Sequence, residues 1–226
     1  MCGRFTMAID SDDVRTQLAL GQMPLDWEPR YNIAPLQTVP VVRQSAKRGK
    51  YEVALMRWGL VPSWADDPKI GNRMINARAE GIEDKPSFRK PIRSRRCLVI
   101  ADGFYEWKAN PGKKTKTPYF IHMKDRNPFA FAGLWDSWES PDGSSLKTCT
   151  IITTGPNELM ATLHDRMPVI LHPRDYAKWL DTSPQTPENL LPLIKPYPAE
   201  AMSAHPVSTL VNKPGNDSAE LVVPAL

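Results

Sequence analysis

The second residue carries the least ordinary chemistry in the chain. Once Met1 is removed, which a small second residue permits, Cys2 bears a free α-amine and a thiol on one carbon skeleton. With ordinary pKa values of about 8 and about 8.5, both groups are partly deprotonated near neutrality, so the pair can attack one electrophile twice. An aldehyde is the natural target. The amine condenses to a Schiff base, and the thiolate closes a five-membered thiazolidine that reverses far less readily than the imine. Cys97 and Cys149 complete an odd set of three with no CxxC pair, which argues against a disulfide framework and against a zinc site. Both lie in apolar strand-like patterns and read as core. No metal and no cofactor is implied.

A second chemical signal is charge. The formal net charge is +4, yet residues 85–117 hold ten basic residues against Asp102 and Glu106 alone. Phe88, Phe104, Tyr105 and Trp107 are interleaved with them, a composition that suits a polyanion such as nucleic acid, although a solvated basic face is the plain alternative. Trp58 and Trp64 could stack on bases or fill a core.

These residues need a scaffold. The chain has 226 residues, 41% of them hydrophobic, with 23 prolines, enough for one large domain, and no repeat, low-complexity tract or long linker divides it. We expect a single domain over 1–226. No apolar run nears the roughly 18 residues of a membrane span, and the opening lacks a leader pattern, so a cytosolic or nuclear monomer is expected. Asp10 or Ser11 can cap a helix reaching about Leu20. Runs rich in β-branched and aromatic residues predict strands over 38–44, 51–58, 97–101, 118–123, 129–135 and 148–154. Pro156, Pro173 and Pro187 suit first helical turns, predicting short helices over 156–162, 173–181 and 187–195, with His164 just past a helix end. Met202–Val207 and Glu220–Val223 read as edge strands. The expected class is α+β: a curved, largely antiparallel sheet or barrel-like core flanked by short helices.

Six blocks stand in one order along the chain: MCGRF at the start, RYNIAP at 30–35, RWGLVPSW at 57–64, INARAE at 75–80, RRCLVIADGFYEWK at 95–108 and LHDRMPVIL at 163–171. HPVS at 205–208 adds another. Together they closely resemble the SOS-response-associated peptidase (SRAP) family of abasic-site-processing proteins. The resemblance implies an N-terminal cysteine that crosslinks to the ring-opened sugar of an abasic site in single-stranded DNA. It also implies strand cleavage and a peptidase-like removal of the residue before the cysteine. Its active site corresponds to Cys2, Asn76, Glu106 and His164. Arg4, Arg78 and Arg166 match positions that grip phosphates, and Pro35, Trp58 and Trp64 lie in blocks associated with the DNA surface.

Physical roles stand beside that resemblance. Asn76 can donate and accept hydrogen bonds without titrating, which suits orienting the Cys2 amine or a sugar oxygen. Glu106, flanked by Tyr105 and Trp107, is expected to be desolvated by them and raised in pKa toward the range of proton transfer. His164 can shuttle protons near neutrality. Arginine forks bind phosphate oxygens bidentately, with acidic partners as the ordinary alternative. Two other classes compete. An N-terminal-nucleophile amidotransferase also begins Met-Cys-Gly, but Arg4 stands where an apolar residue is usual. A non-catalytic single-strand binder would use only the basic segment.

Overall fold

The computed structural model describes residues 2–9, 28–45, 50–183 and 186–225. The helix expected near 10–20 lies outside them. Strands dominate: β1 (Phe5–Met7), β2 (Arg30–Ile33), β3 (Thr38–Gln44), β4 (Tyr51–Trp58), β5 (Asn76–Arg78), β6 (Arg96–Ala101), β7 (Gly103–Ala109), β8 (Lys116–Met123), β9 (Phe129–Glu139), β10 (Ser145–Thr154), β11 (Met167–Pro168), β12 (Ile170–Leu171) and β13 (Met202–Pro206). The α-helical turns are α1 (Pro91–Ser94), α2 (Glu158–Ala161), α3 (Tyr176–Leu180) and α4 (Pro187–Leu190).

Two sheets form the body. One runs β13-β8-β7-β1-β2, antiparallel throughout. In the other, β10-β4-β3-β6-β9 closes into a ring through the β9–β10 ladder, with β5, β11 and β12 attached. Only the pairings of β10 with β4 and with β5 are parallel. The α+β class with a curved, largely antiparallel sheet is therefore what the chain adopts.

Aromatic side chains join the sheets. Phe5 meets Trp58 edge-on at 5.1 Å and Phe131 at 5.9 Å, while Phe104 meets Phe131 at 6.0 Å. Such contacts add about 1 kcal/mol each beyond the buried area. Cys97 and Cys149 are buried in this core, as expected. Gly103 is required by close approach, because a Cβ there would meet the Phe120 ring at 2.2 Å.

The expected strands at 38–44 and 51–58 form with those bounds, and the other four form with longer ends. The helices expected over 173–181 and 187–195 form as successive short segments, a 3-10 turn Pro173–Asp175 running into α3 and α4 running into a 3-10 turn Leu191–Leu193, while the one expected over 156–162 shrinks to α2. In α2 the cap is Asn157, whose side chain accepts from the Met160 N–H at 2.8 Å, so Pro156 lies outside the helix. The tail is a correction. The edge strand expected over Met202–Val207 forms as Met202–Pro206, but residues 220–222 belong to a 3-10 turn, Ala219–Val222, with Val223 its extended cap. Its N–H groups bond locally, Leu221 to Ser218 and Val223 to Glu220, and Leu221 is fully buried; pairing of this tail is confined to a single antiparallel bridge between Val207 and Pro224, where the Ala225 N–H donates to the Pro206 carbonyl at 2.9 Å.

Candidate active site

β1 lies between β2 and β7, with Phe5 opposite Phe104. The Tyr105 N–H also donates to the Arg4 carbonyl at 3.0 Å. This register sets Cys2 beside the middle of β7, where Glu106 faces the same core. Asn76 arrives from the other sheet: β5 lies parallel to β10, with Asn76 opposite Ile151. Its Nδ2 donates to the Cys2 carbonyl at 2.8 Å, and its Oδ1 is buried without a donor among the described residues. His164 follows α2, its N–H bonded to the Met160 carbonyl at 2.8 Å, and it acts electrostatically on Glu106. Cys2, Asn76, Glu106 and His164 thus converge from four separate stretches of chain.

Burial sets the protonation states. The Cys2 thiol is pushed far above the ordinary thiol range, by burial first and by the Glu106 charge second. Glu106, 2% exposed, is raised above an ordinary carboxylate, again by burial, with His164 among the positive groups that pull it back. The cause differs from the sequence expectation. Side chains alternate along a strand, so Tyr105 and Trp107 belong to a separate cluster with Phe120 and Val211, while Phe104 is in the main core with Cys2. The desolvating surface is the interface of the two sheets. At His164, Nδ1 lies 3.1 Å from the Arg166 backbone nitrogen and 2.8 Å from Asp165 Oδ1; it accepts from the first when it is the bare ring nitrogen and donates to the second when it carries a hydrogen.

The arginines divide. Arg78 is exposed on β5. Arg166 forms a bidentate pair with Glu80 at 2.6 and 3.0 Å and also donates to the Thr153 carbonyl at 2.7 Å. Arg4 is held by Asn32 Oδ1 and by the Val211 carbonyl, both at 2.7 Å. Asn32, which sequence reasoning passed over, is fully buried, and its Nδ2 donates to the carbonyls of Val211, Lys213 and Asn216. The signal available was a polar residue inside the RYNIAP block.

Trp58 corrects a surface expectation. It is fully buried and cannot stack on a base; its Nε1 donates to the Ile75 carbonyl at 2.8 Å, next to Asn76. Trp64 is 57% exposed. Pro35 opens a turn in which Leu36 takes a φ of 70°, left-handed backbone that a bulky residue seldom adopts.

A family model described as SOS response associated peptidase (SRAP) matches residues 1–214. The chain belongs to the SRAP family. Its relatives within the SRAP family include "Abasic site processing protein YoqW" of Bacillus subtilis, 49% identical over 98% of this chain and 99% of that one. "Abasic site processing protein HMCES" of Gallus gallus is 35% identical over 99% of this chain and 78% of that one. A crystal structure of a protein from Bacteroides thetaiotaomicron covers 100% of both chains with a TM-score of 0.86 at 29% identity. The SRAP assignment thus rests on both sequence and fold.

Proposed function

We propose that this protein captures abasic sites in single-stranded DNA as a covalent thiazolidine through Cys2, after Met1 is removed. The observation that carries the reading is the tether from Asn76 Nδ2 to the Cys2 carbonyl, with the buried Glu106 carboxyl acting electrostatically on the same cysteine. The names of the relatives as abasic-site processing proteins support it.

The reaction balances without a cofactor. The Cys2 α-amine adds to the aldehyde of the ring-opened sugar, and water leaves to give an imine. The sulfur then bonds to the imine carbon and the thiol proton ends on nitrogen. Because burial keeps Cys2 a thiol, the amine reacts first. Glu106, whose pKa burial raises, protonates the departing hydroxyl and as carboxylate relays the thiol proton. His164 hydrogen-bonds the sugar hydroxyls and favours the open aldehyde. Arg4, Arg78 and Arg166 contact phosphates, Pro35 and Trp64 lie on the DNA-facing surface, and Trp58 acts from behind through Ile75. The imine also acidifies the adjacent sugar carbon, so loss of that proton with departure of the 3′ phosphate gives a strand-cleaving lyase route. Hydrolysis of the Met1–Cys2 amide by the same site is the self-processing step.

The test mixes the protein with single-stranded DNA bearing one abasic site and follows a denaturation-resistant adduct by gel and intact mass. The expected mass is the chain without Met1 plus the DNA minus one water. Cys2→Ala should give no adduct, and Cys2→Ser only a reducible imine. Equal crosslinking by a chain extended before Cys2 overturns the mechanism. Ammonia release from glutamine would favour the amidotransferase instead, and salt-sensitive binding that ignores abasic sites would favour a plain single-strand binder.

A further inference from the structure

The face of the β7–β8 ladder that carries Glu106 does not end there. Register places Phe104 opposite Ile121, Glu106 opposite Tyr119 and Lys108 opposite Thr117. Residues directly opposed in a sheet share a face, as do residues two apart on one strand. The burial clusters agree: Phe104 and Ile121 are in the main core and Tyr119 packs on it, while Tyr105, Phe120 and Trp107 form the cluster behind. Leaving the core along this face, one therefore meets Glu106 and Tyr119, then Lys108, then the hairpin tip.

The side chains there are prepared for a ligand. Tyr119 is half-buried, its ring supported by the core, and Lys108 Nζ stands 6.0 Å from the ring centroid. Among the described residues Lys108 has no carboxylate partner. The segment 107–119 contains four lysines and no acidic residue, so three further cations, Lys113, Lys114 and Lys116, are exposed at the tip. The tip is braced by Asn110, whose Oδ1 accepts from Thr117 Oγ1 at 3.1 Å and whose carbonyl accepts from the Lys113 N–H at 3.0 Å. Unpaired like charges on a braced turn are a standing repulsion that an anion relieves. A supported ring beside a cation is the arrangement that takes a base face and its phosphate together.

We propose that Tyr119 and Lys108 form a subsite for the nucleotide adjoining the abasic sugar on one side, with the hairpin lysines following the strand's next phosphates. This rests on the capture reading above. Glu106 and Lys108 are about 7 Å apart along the strand at about 3.3 Å per residue, so a nucleotide attached to a sugar at Glu106 reaches Tyr119 without rearrangement of the sheet.

The test uses the full chain and two short oligonucleotides, one with nucleotides only 5′ of the abasic site and one with nucleotides only 3′ of it. Tyr119→Leu should slow adduct formation at subsaturating DNA about tenfold on one of the two and leave the other unchanged, whereas Tyr119→Phe should match wild type on both. Lys108→Gln should show the same one-sided loss and lower the slope of log affinity against log salt by about 0.7, the value of one phosphate on a single strand. Substituting Lys113, Lys114 and Lys116 by Gln together should lower the slope by about 2 on that flank only. Equal losses on both oligonucleotides, or none, overturn the proposal. If wild type formed no adduct at all, the capture reading would fall. The subsite would still be judged by salt-dependent binding of Cys2→Ala to intact single-stranded DNA, where an unchanged slope in Lys108→Gln overturns it too.

Discussion

Asn76 uses half of its amide: Nδ2 holds the Cys2 carbonyl, and the buried Oδ1 has no donor among the described residues. An unsatisfied buried acceptor costs about 1–3 kcal/mol, a cost relieved when a released α-amine or a sugar hydroxyl arrives. Asn76→Ala should therefore slow adduct formation by at least about tenfold at saturating DNA while leaving non-covalent affinity unchanged, which single-turnover kinetics and a binding titration separate. Glu106 gives a prediction of sign. Its folded-state pKa is raised by burial, so its contribution to stability is present below the unfolded value of about 4.3 and is lost as pH rises through the raised folded value. Glu106→Gln, which cannot ionise, should melt at a higher temperature than wild type above that folded value, and the two curves should converge toward acid. The same variant should slow both formation and reversal of the adduct. Melts across pH and single-turnover rates check the two halves; a lower Tm at neutral pH would contradict the buried-carboxyl account. Cys2 and Glu106 were legible in the sequence as residue types. The wall that desolvates Glu106 was not, because strand alternation turns its sequence neighbours to the opposite face.

At the scale of elements, the strands that sequence reasoning found are those long enough to show a β-rich pattern, such as Thr38–Gln44 and Tyr51–Trp58. Those it missed include the positioning strands Phe5–Met7 and Asn76–Arg78, three residues each, too short for any periodicity. Gly103–Ala109 was also passed over, although its aromatic residues carried a usable signal. The largest gap is the C-terminal clamp, which joins residues about 180 positions apart. Asp217 accepts from the backbone N–H groups of Tyr31 and Asn32 at 2.5 and 3.0 Å and from Arg30 Nε at 2.7 Å. Trp107 Nε1 donates to Asn212 Oδ1 at 2.7 Å. RYNIAP thus grips the segment around 208–217, and through Asn32 that segment fixes Arg4, two residues from Cys2. Asn32→Ala removes a donor from the carbonyls of Val211, Lys213 and Asn216 and leaves Arg4 only its backbone partners, the carbonyls of Val211 and Asn212. It should cost about 2–3 kcal/mol in stability and, in folded protein, weaken DNA binding more than Arg4→Lys does. Denaturant melts and titrations at fixed salt measure both; intact affinity in Asn32→Ala would leave the clamp as scaffold only.

Across the whole molecule, the basic run of 85–117 is not one surface. Arg96 is fully buried, with its guanidinium donating to the carbonyls of Trp179, Ile92, Arg93 and Asp181, and burial lowers its pKa to about 10. Arg95 pairs with Asp136 and lies against Trp135. Lys85 is pinned to the carbonyl of Glu80 at 2.9 Å. The cations left for a polyanion are those without such partners, so the net charge of the run overstates what DNA can feel. Arg166 is the instructive case, because its fork is filled by the Glu80 carboxylate, which has the charge and geometry of a phosphate edge. Arg166 holds Glu80 below the ordinary carboxylate range; the stability this pair contributes is present above the unfolded pKa and lost as pH falls through the depressed folded value. With Glu80 61% exposed, that contribution is small. Replacing the carboxylate is thus tolerable for the fold and informative for function. If Arg166 grips phosphate by exchanging one anion for another, Glu80→Gln removes the competitor. Affinity for single-stranded DNA should then rise severalfold, with a salt slope steeper by about 0.7, and Glu80→Gln combined with Arg166→Ala should lose the gain. Weaker binding in Glu80→Gln would instead mean that the carboxylate holds Arg166 in its working position. Titrations at several salt concentrations with undamaged DNA decide between these without any contribution from the covalent step.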